Sequence, residues 1–541
     1  MRSGSWFACW LLIPAALGLA ACGETPAPAS GELVVSIGIG EPKSLIPSRA
    51  NEANAADVLE ALFTKLVDYD AQQRPVELAA ESITSDDNRV WTIRLRPDWT
   101  FHNGEPVTAD SYINAWNAGA WGPNAHEANY FFEKIAGYAD LNPVDASKPP
   151  AARKLSGLRK IDELTFEVTL NAPYVNFKSM LGYTAFYPLP LAAFEDVDNN
   201  VISPRYQEAP IGQGPFRMQG SWQHDQLIEM VRYEDYAGPV KPKVAGLAFK
   251  IYQQQTTQYQ DLLAGQLDIQ SQIPLENVGS AAADLGERFK QSPSSTIQFL
   301  AFPTFDPSFS KPEIRRAISM AIDRDEIINA LFLRSQLPLR SFVSPIVPGY
   351  REDVCGEACQ FDPAAAKALF ESAGGAEAVG GRIEIAYNVD GGHKPWVDAT
   401  CNQIRTNLGV PCVGNPQPKF SELLTKVRAK EPVGLFRLGW IFDYPAIENY
   451  LGPVYTTTGS SNYYGYSNPE FDRLVAAGDA AATPEEALVY YQQAEDILVQ
   501  DMPVVPLRYS QNNFGHSTRV KNVELDLFSR VKYLQLEASA P

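Results

Sequence analysis

Strand-like and helix-like segments alternate along almost the whole chain, and this limits the fold more than any other feature. Residues 33–39 (LVVSIGI) are a β-branched run suited to a first strand. Residues 90–96 (VWTIRLR) alternate strictly, with Trp91, Ile93 and Leu95 on one face. Between 51 and 67, Val58, Leu59, Leu62, Phe63, Leu66 and Val67 recur at helical spacing. Asn103-Gly104 is a turn signal, and Thr108 reads as the cap of a helix running to Asn117. Further strands are expected near 164–170, 247–252, 267–270, 382–387 and 435–439. Helices are expected over 254–264, 312–332, 363–372, 396–408 and 484–500. There is no tandem repeat. Mixed α/β lobes follow, and 541 residues exceed one hydrophobic core, so two or three domains are expected.

The first residues read as an address. Arg2 precedes 16 residues from Trp6 to Ala21, apolar apart from Pro14 and Gly18, and a membrane span needs roughly 20. This fits a secretory segment. It ends in Leu19-Ala20-Ala21-Cys22, similar to the lipobox of bacterial lipoproteins, in which cleavage precedes the cysteine and its thiol receives a lipid. Residues 1–21 are therefore read as signal peptide and 22–32 as a Pro/Ala/Ser tether holding the body off a membrane. The other reading is an ordinary signal with a fortuitous Cys22. Cys355, Cys359, Cys401 and Cys412 remain in the body, an even number that suggests two disulfides in an oxidising compartment. Three pairings are possible; Cys355–Cys359 with Cys401–Cys412 is favoured over a four-thiolate zinc site, because neither pair has zinc-knuckle spacing.

Net charge of −19 argues against nucleic acid, which needs clustered Lys and Arg. Catalytic signatures are lacking as well. The five histidines form no HExxH, and no G-x-S-x-G or phosphate-binding loop occurs. Gly38-Ile39-Gly40 opens like a dinucleotide loop, but Lys43 stands where a third glycine is required. A binding protein without cofactor or metal is expected rather than an enzyme.

Several stretches, in order, look like the peptide-binding proteins of ABC importers: 41–47 (EPKSLIP), 99–110 (WTFHNGEPVTAD), 212–216 (GQGPF), 312–318 (PEIRRAI) with 321–324 (AIDR), 439–444 (GWIFDY) and 468–472 (NPEFD). The pattern resembles the dipeptide/oligopeptide-binding class, extracellular solute-binding protein family 5, and in detail its actinobacterial dipeptide-binding group. That resemblance implies a type II periplasmic-binding-protein-like clamshell of two α/β lobes, with a subdomain inserted in the first. Lobe I would comprise 33–57, 180–292 and 508–541, the insertion 58–179, and lobe II 293–507.

The resemblance also implies a monomer that captures di- or oligopeptides outside the cell, held to the membrane at Cys22, and delivers them to ABC permease subunits. Asp443 matches the family residue that pairs with the peptide α-ammonium; the residues alone allow a helix cap before Pro445 instead. Gly439 and Trp440 would lie on a strand that pairs with the peptide backbone, with Trp440 in a side-chain pocket or in the core. Arg437 occupies a position where some relatives hold the peptide carboxylate, and Glu41 one that faces ligand from the first lobe, or a solvated loop charge. Tyr130 and Asn462 are candidate cleft-loop residues, or surface and packing residues. Same-fold binders of haem, nickel or oligosaccharide, and a peptide sensor, remain as alternatives.

Overall fold

A computed structural model describes residues 33–540 apart from 146 and 334, so the expected signal segment, Cys22 and the tether lie outside the described residues. One mixed sheet of eleven strands organises the body. Its order is Phe216–Met218, Leu227–Arg232, Gly246–Ile251, Val34–Ile39, Ile269–Gln270, Val504–His516, Phe289–Ala301, Leu435–Trp440, Ile383–Asn388 and Cys412–Gln417. Gln336–Pro338 pairs beside Val504–His516. Two strands of thirteen residues, Phe289–Ala301 and Val504–His516, pair antiparallel through both halves of the sheet, from Phe289 opposite Gly515 to Ala301 opposite Val504. Their register breaks between Pro293 and Ile297, where proline has no N–H to give the ladder. The expected limits at 292/293 and 507/508 thus fall inside these two continuous strands.

In the first half, Val35, Ile37, Leu247 and Phe249 share one core with the four-stranded antiparallel sheet Ala80–Thr84, Val90–Leu95, Thr165–Thr169, Leu158–Lys160 and with helix Ala109–Ala120. The expected insertion therefore has no core of its own, and its expected start at 58 falls inside helix Ala53–Leu62. In the second half the sheet is covered on both faces. Phe299, Phe436 and Leu438 pack under helices Glu448–Tyr455, Pro469–Asp479 and Pro484–Asp501. Their neighbours Leu300 and Leu435 face helices Pro312–Met320, Arg324–Phe332 and Lys394–Leu408. This is the period of two that a strand imposes on side chains.

Most local readings are met. Trp91, Ile93 and Leu95 are buried along Val90–Leu95, helix Pro363–Ser372 has the expected ends, and the Thr108 N–H donates to Ser111 Oγ at 3.1 Å. Two helices differ. The one expected over 51–67 ends at Leu62, because the Gly214 N–H donates to the Leu62 carbonyl at 2.7 Å and turns the chain away. A Cβ on Gly212 would stand 1.9 Å from that carbonyl oxygen, which explains the small residues of GQGPF. The helix expected over 312–332 is two, since the Asp323 carboxylate accepts the Glu326 N–H (2.9 Å) and starts a second one. Cys355 is bonded to Cys359, and Cys401 to Cys412, the latter joining helix Lys394–Leu408 to strand Cys412–Gln417. Among the described residues no helix is long and apolar enough to cross a membrane.

Candidate functional site

Strand Leu435–Trp440 has one edge paired and the other partly bare. Phe289–Ala301 pairs with it from Phe436 to Trp440. On the other side Ile383–Asn388 meets only Leu435 and Phe436. Among the described residues no strand pairs with 437–440 there, so that edge can accept another extended chain. Gly439 cannot gain a side chain without conflict: a Cβ would lie 2.5 Å from Gln298 Nε2 and 2.7 Å from the Ile297 carbonyl.

Beyond the strand the backbone is tied by Asn449, whose Oδ1 accepts the Asp443 N–H at 2.8 Å and the Trp440 indole N–H at 3.3 Å. The Asp443 carboxylate is left facing a cavity of about 470 Å³ between the two halves. Tyr130, Phe131, Glu133 and Lys134 line it from the first half, and Trp440, Asp443 and Glu448 from the second. The Tyr130 hydroxyl donates to Asp443 Oδ1 at 3.4 Å. Among the described residues no cation lies within ion-pair reach of Asp443. Burial pushes its carboxyl up to about 7, and the bonds from Asn449 and Tyr130 only partly oppose this. It is not a helix cap, because the helix starts at Glu448 with Ile447 at its cap position.

The cavity wall is mostly acidic. Glu448 accepts from the hydroxyls of Tyr174 and Tyr444, both at 2.6 Å. Asp479 accepts from Tyr491 (2.8 Å), and burial with the nearby Glu448 charge pushes it up to about 7. Lys134 Nζ lies 3.9 Å from Asp479 and 4.1 Å from the centre of the Tyr174 ring. The cavity therefore has more negative than positive charge and suits a cationic group. A second cavity, of about 350 Å³, lies against Lys65 and the C-terminal segment, where the charges are paired with one another.

Of the residues singled out from the sequence, Asp443, Trp440 and Tyr130 meet at this cavity, with Gly439 beside it. Two do not. Glu41 accepts the Asp225 N–H at 3.0 Å and meets His224 Nδ1 at 2.8 Å, in a surface cluster of the first half that also holds Glu208. The Glu41 carboxylate raises the His224 pKa. Arg437 leans to the other face of its strand, where its Nε donates to Asn388 Oδ1 (2.6 Å) and its guanidinium lies 4.3 Å from the Phe420 ring centre. Strand alternation sends Arg437 and Trp440 to opposite faces. Asn462 is a loop clamp, donating to the carbonyls of Thr456 and Tyr466. Asn449, Glu448, Tyr174 and Asp479 carry no signal in the sequence, since each is an ordinary residue until the fold gathers them.

Residues 74–462 match the family model described as bacterial extracellular solute-binding proteins, family 5 middle. The chain is 25% identical over 541 aligned residues to oligopeptide-binding protein OppA of Bacillus subtilis, covering 96% of each. It is 25% identical over 512 residues to periplasmic murein peptide-binding protein MppA of Escherichia coli, covering 91% of each. The unliganded open form of MppA superposes with a TM-score of 0.79 at 22% identity, over 94% of this chain and 99% of that one. Haemophilus influenzae OppA in complex with RPPGFSPFR superposes at 0.71 and 22%, over 95% and 100%.

Proposed function

This chain belongs to family 5 of the bacterial extracellular solute-binding proteins, and on that premise we propose that it captures peptides between its two lobes for an ABC importer. One observation carries the reading: a carboxylate without a cation, Asp443, stands in an inter-lobe cavity beside an unpaired strand edge. Those two features match what every peptide has in common. The α-ammonium meets Asp443 in a charge-assisted bond contributing about 1.5–3 kcal/mol. The backbone amides extend the sheet along 437–440, on the edge away from Phe289–Ala301. Trp440 offers an indole to the first side chains, and Tyr130 reaches Asp443 from the opposite lobe, so ligand contacts both sides and favours closure. We put the hinge where the crossing strands lose register, between Pro293 and Ile297. The lobes are then 33–292 with the end of the chain, and the portion between the two crossings.

A neutral sugar would leave the charge of Asp443 unpaired in the closed cavity, which disfavours an oligosaccharide binder. The purified protein, denatured and examined by mass spectrometry, should release peptides with free amino termini. Release of haem, nickel or sugar in their place would overturn the reading.

An anchor would keep the protein beside a membrane permease, and we assign it to a lipid on Cys22, on the strength of Leu19-Ala20-Ala21-Cys22. A single acyl chain binds marginally, so retention requires two or more. Cys22→Ala should leave the membrane fraction or stall in processing. A Cys22→Ala protein still acylated and still sedimenting with membranes would refute the assignment.

A further inference from the structure

The two halves are also joined directly, along a seam beside the cavity. Residues 170–176 follow strand Thr165–Thr169 of the first half and dock on the second. The Tyr174 hydroxyl donates to Glu448 Oε2 at 2.6 Å, and the Tyr444 hydroxyl donates to the same oxygen at 2.6 Å. Glu448 is 3% exposed, and among the described residues those two hydroxyls are the only donors to its carboxylate. The Val175 N–H donates to the Asp479 carbonyl at 2.9 Å, and Asn176 Nδ2 to the Tyr491 hydroxyl at 3.0 Å. Asn88 ties the loop to both sides. Its carbonyl accepts the Tyr174 N–H (2.8 Å), and its Nδ2 donates to the carbonyls of Ala481 (2.8 Å) and Ala482 (3.2 Å). Apolar groups cross over as well, with Val175 buried in the core of the second half and Tyr444 in that of the first. Asn88, Tyr174, Val175 and Asn176 do not line the cavity.

Each of these bonds runs from one half to the other with no ligand between. Parting the halves breaks them together and brings Val175 out of a core, so the seam by itself favours the closed arrangement. We propose that this seam is a clasp that keeps the halves shut between ligands, and that its release sets how fast peptides enter and leave. The clasp stands on the contacts alone, while its effect on peptides rests on the peptide reading. Tyr174 decides its strength. In the closed protein its hydroxyl is one of two donors to a buried carboxylate, and in the open protein water replaces it. Phenylalanine there penalises only the closed arrangement, by the worth of a hydrogen bond to a charged group, and raises the open fraction about ten- to a hundredfold. While the closed form stays in the majority, affinity hardly moves, because the fraction able to hold peptide remains near one. Association and dissociation speed up instead.

Hydrogen exchange of the ligand-free protein reads the clasp directly. The Val175 N–H should exchange slowly in native protein and about ten- to a hundredfold faster in Y174F. Amides of strand Val90–Leu95, which pair within the first half, should keep their native rates. A Val175 N–H that exchanges freely in native protein, or equally slowly in both, would overturn the proposal. Equal acceleration in Val90–Leu95 would overturn it too, since that marks a structural residue. Stopped-flow mixing with alanine peptides of two to five residues then reads the gate. Y174F should bind and release them about ten- to a hundredfold faster than native protein, with affinities within about threefold. Unchanged rates, or a tenfold loss of affinity, would refute the gating role. N176A, which removes the bond to Tyr491, should give a smaller acceleration of the same kind and serves if Y174F does not fold. If native protein binds none of these peptides, the peptide reading fails, and the exchange result still decides the clasp.

Discussion

Asp443→Ala is expected to weaken binding of every peptide with a free amino terminus by a hundred- to several-thousand-fold. Removing one side of a buried charge pair costs about 3–5 kcal/mol, because the other charge stays desolvated and alone. N-acetylated peptides, which lack that charge, should bind the native protein poorly and lose little more in the variant. The raised pKa adds a second signature. With its carboxyl at about 7 in the empty protein, Asp443 must give up a proton before it can hold an ammonium. Affinity for free peptides should fall by up to tenfold per unit below pH 7, while that for acetylated peptides stays level.

The same shift fixes a sign for stability. The unfolded chain loses this proton near 3.8 and the folded one near 7, so the empty protein loses stability as pH rises across that interval. Asp443→Asn should therefore raise the ligand-free melting temperature at pH 7 or above while abolishing binding. Calorimetry on native and variant with both peptide types tests all of this. A lower melting temperature with equal losses for free and acetylated peptides would make Asp443 a structural residue.

Lys65→Met should cost about 3–5 kcal/mol of stability, through a cluster remote in sequence from the site but coupled to it. Lys65 Nζ is buried 2.6 Å from Glu60, 3.5 Å from Asp68 and 3.9 Å from Asp526, and Arg530 reaches Glu60 from the C-terminal segment. Burial pushes Glu60 up, yet Lys65 and Arg530 together hold it below its ordinary 4.5. Its contribution is present above pH 4.5 and lost as pH falls through the depressed value. Without Lys65, Glu60 and Asp526 share Arg530 alone. Phe528, between Asp526 and Arg530, packs edge-on to Phe442 with ring centres 5.5 Å apart, next to Asp443. Loosening that segment should also weaken peptide binding. Lys65→Arg, which keeps the charge, should retain most of both. Denaturant unfolding with parallel titration is the measurement, and an unchanged midpoint for Lys65→Met would discard the account.

How far the chain could be read from its residues follows the range of the forces involved. Trp91, Ile93 and Leu95 share a face because a strand alternates, and Pro363–Ser372 is a helix with the Asp362 carboxylate on the Ala365 N–H; both depend on near neighbours. The helix begun at Ala53 was legible in its start but not its end, because what stops it is Gly214, some 150 residues later. The site divides in the same way. GWIFDY marked Asp443 and Trp440, but not that Asn449 would tie both, nor that Tyr130, 313 positions earlier, would face the carboxylate. Glu41 and Arg437 matched positions in a pattern, and their side chains found partners in His224 and Asn388. Sequence determined which segments become strands and helices, since spacing and caps act within a turn or a pleat. Only the tertiary structure decided which charges are paired and which are left for a ligand, because burial and partnership depend on chain brought together from hundreds of residues away.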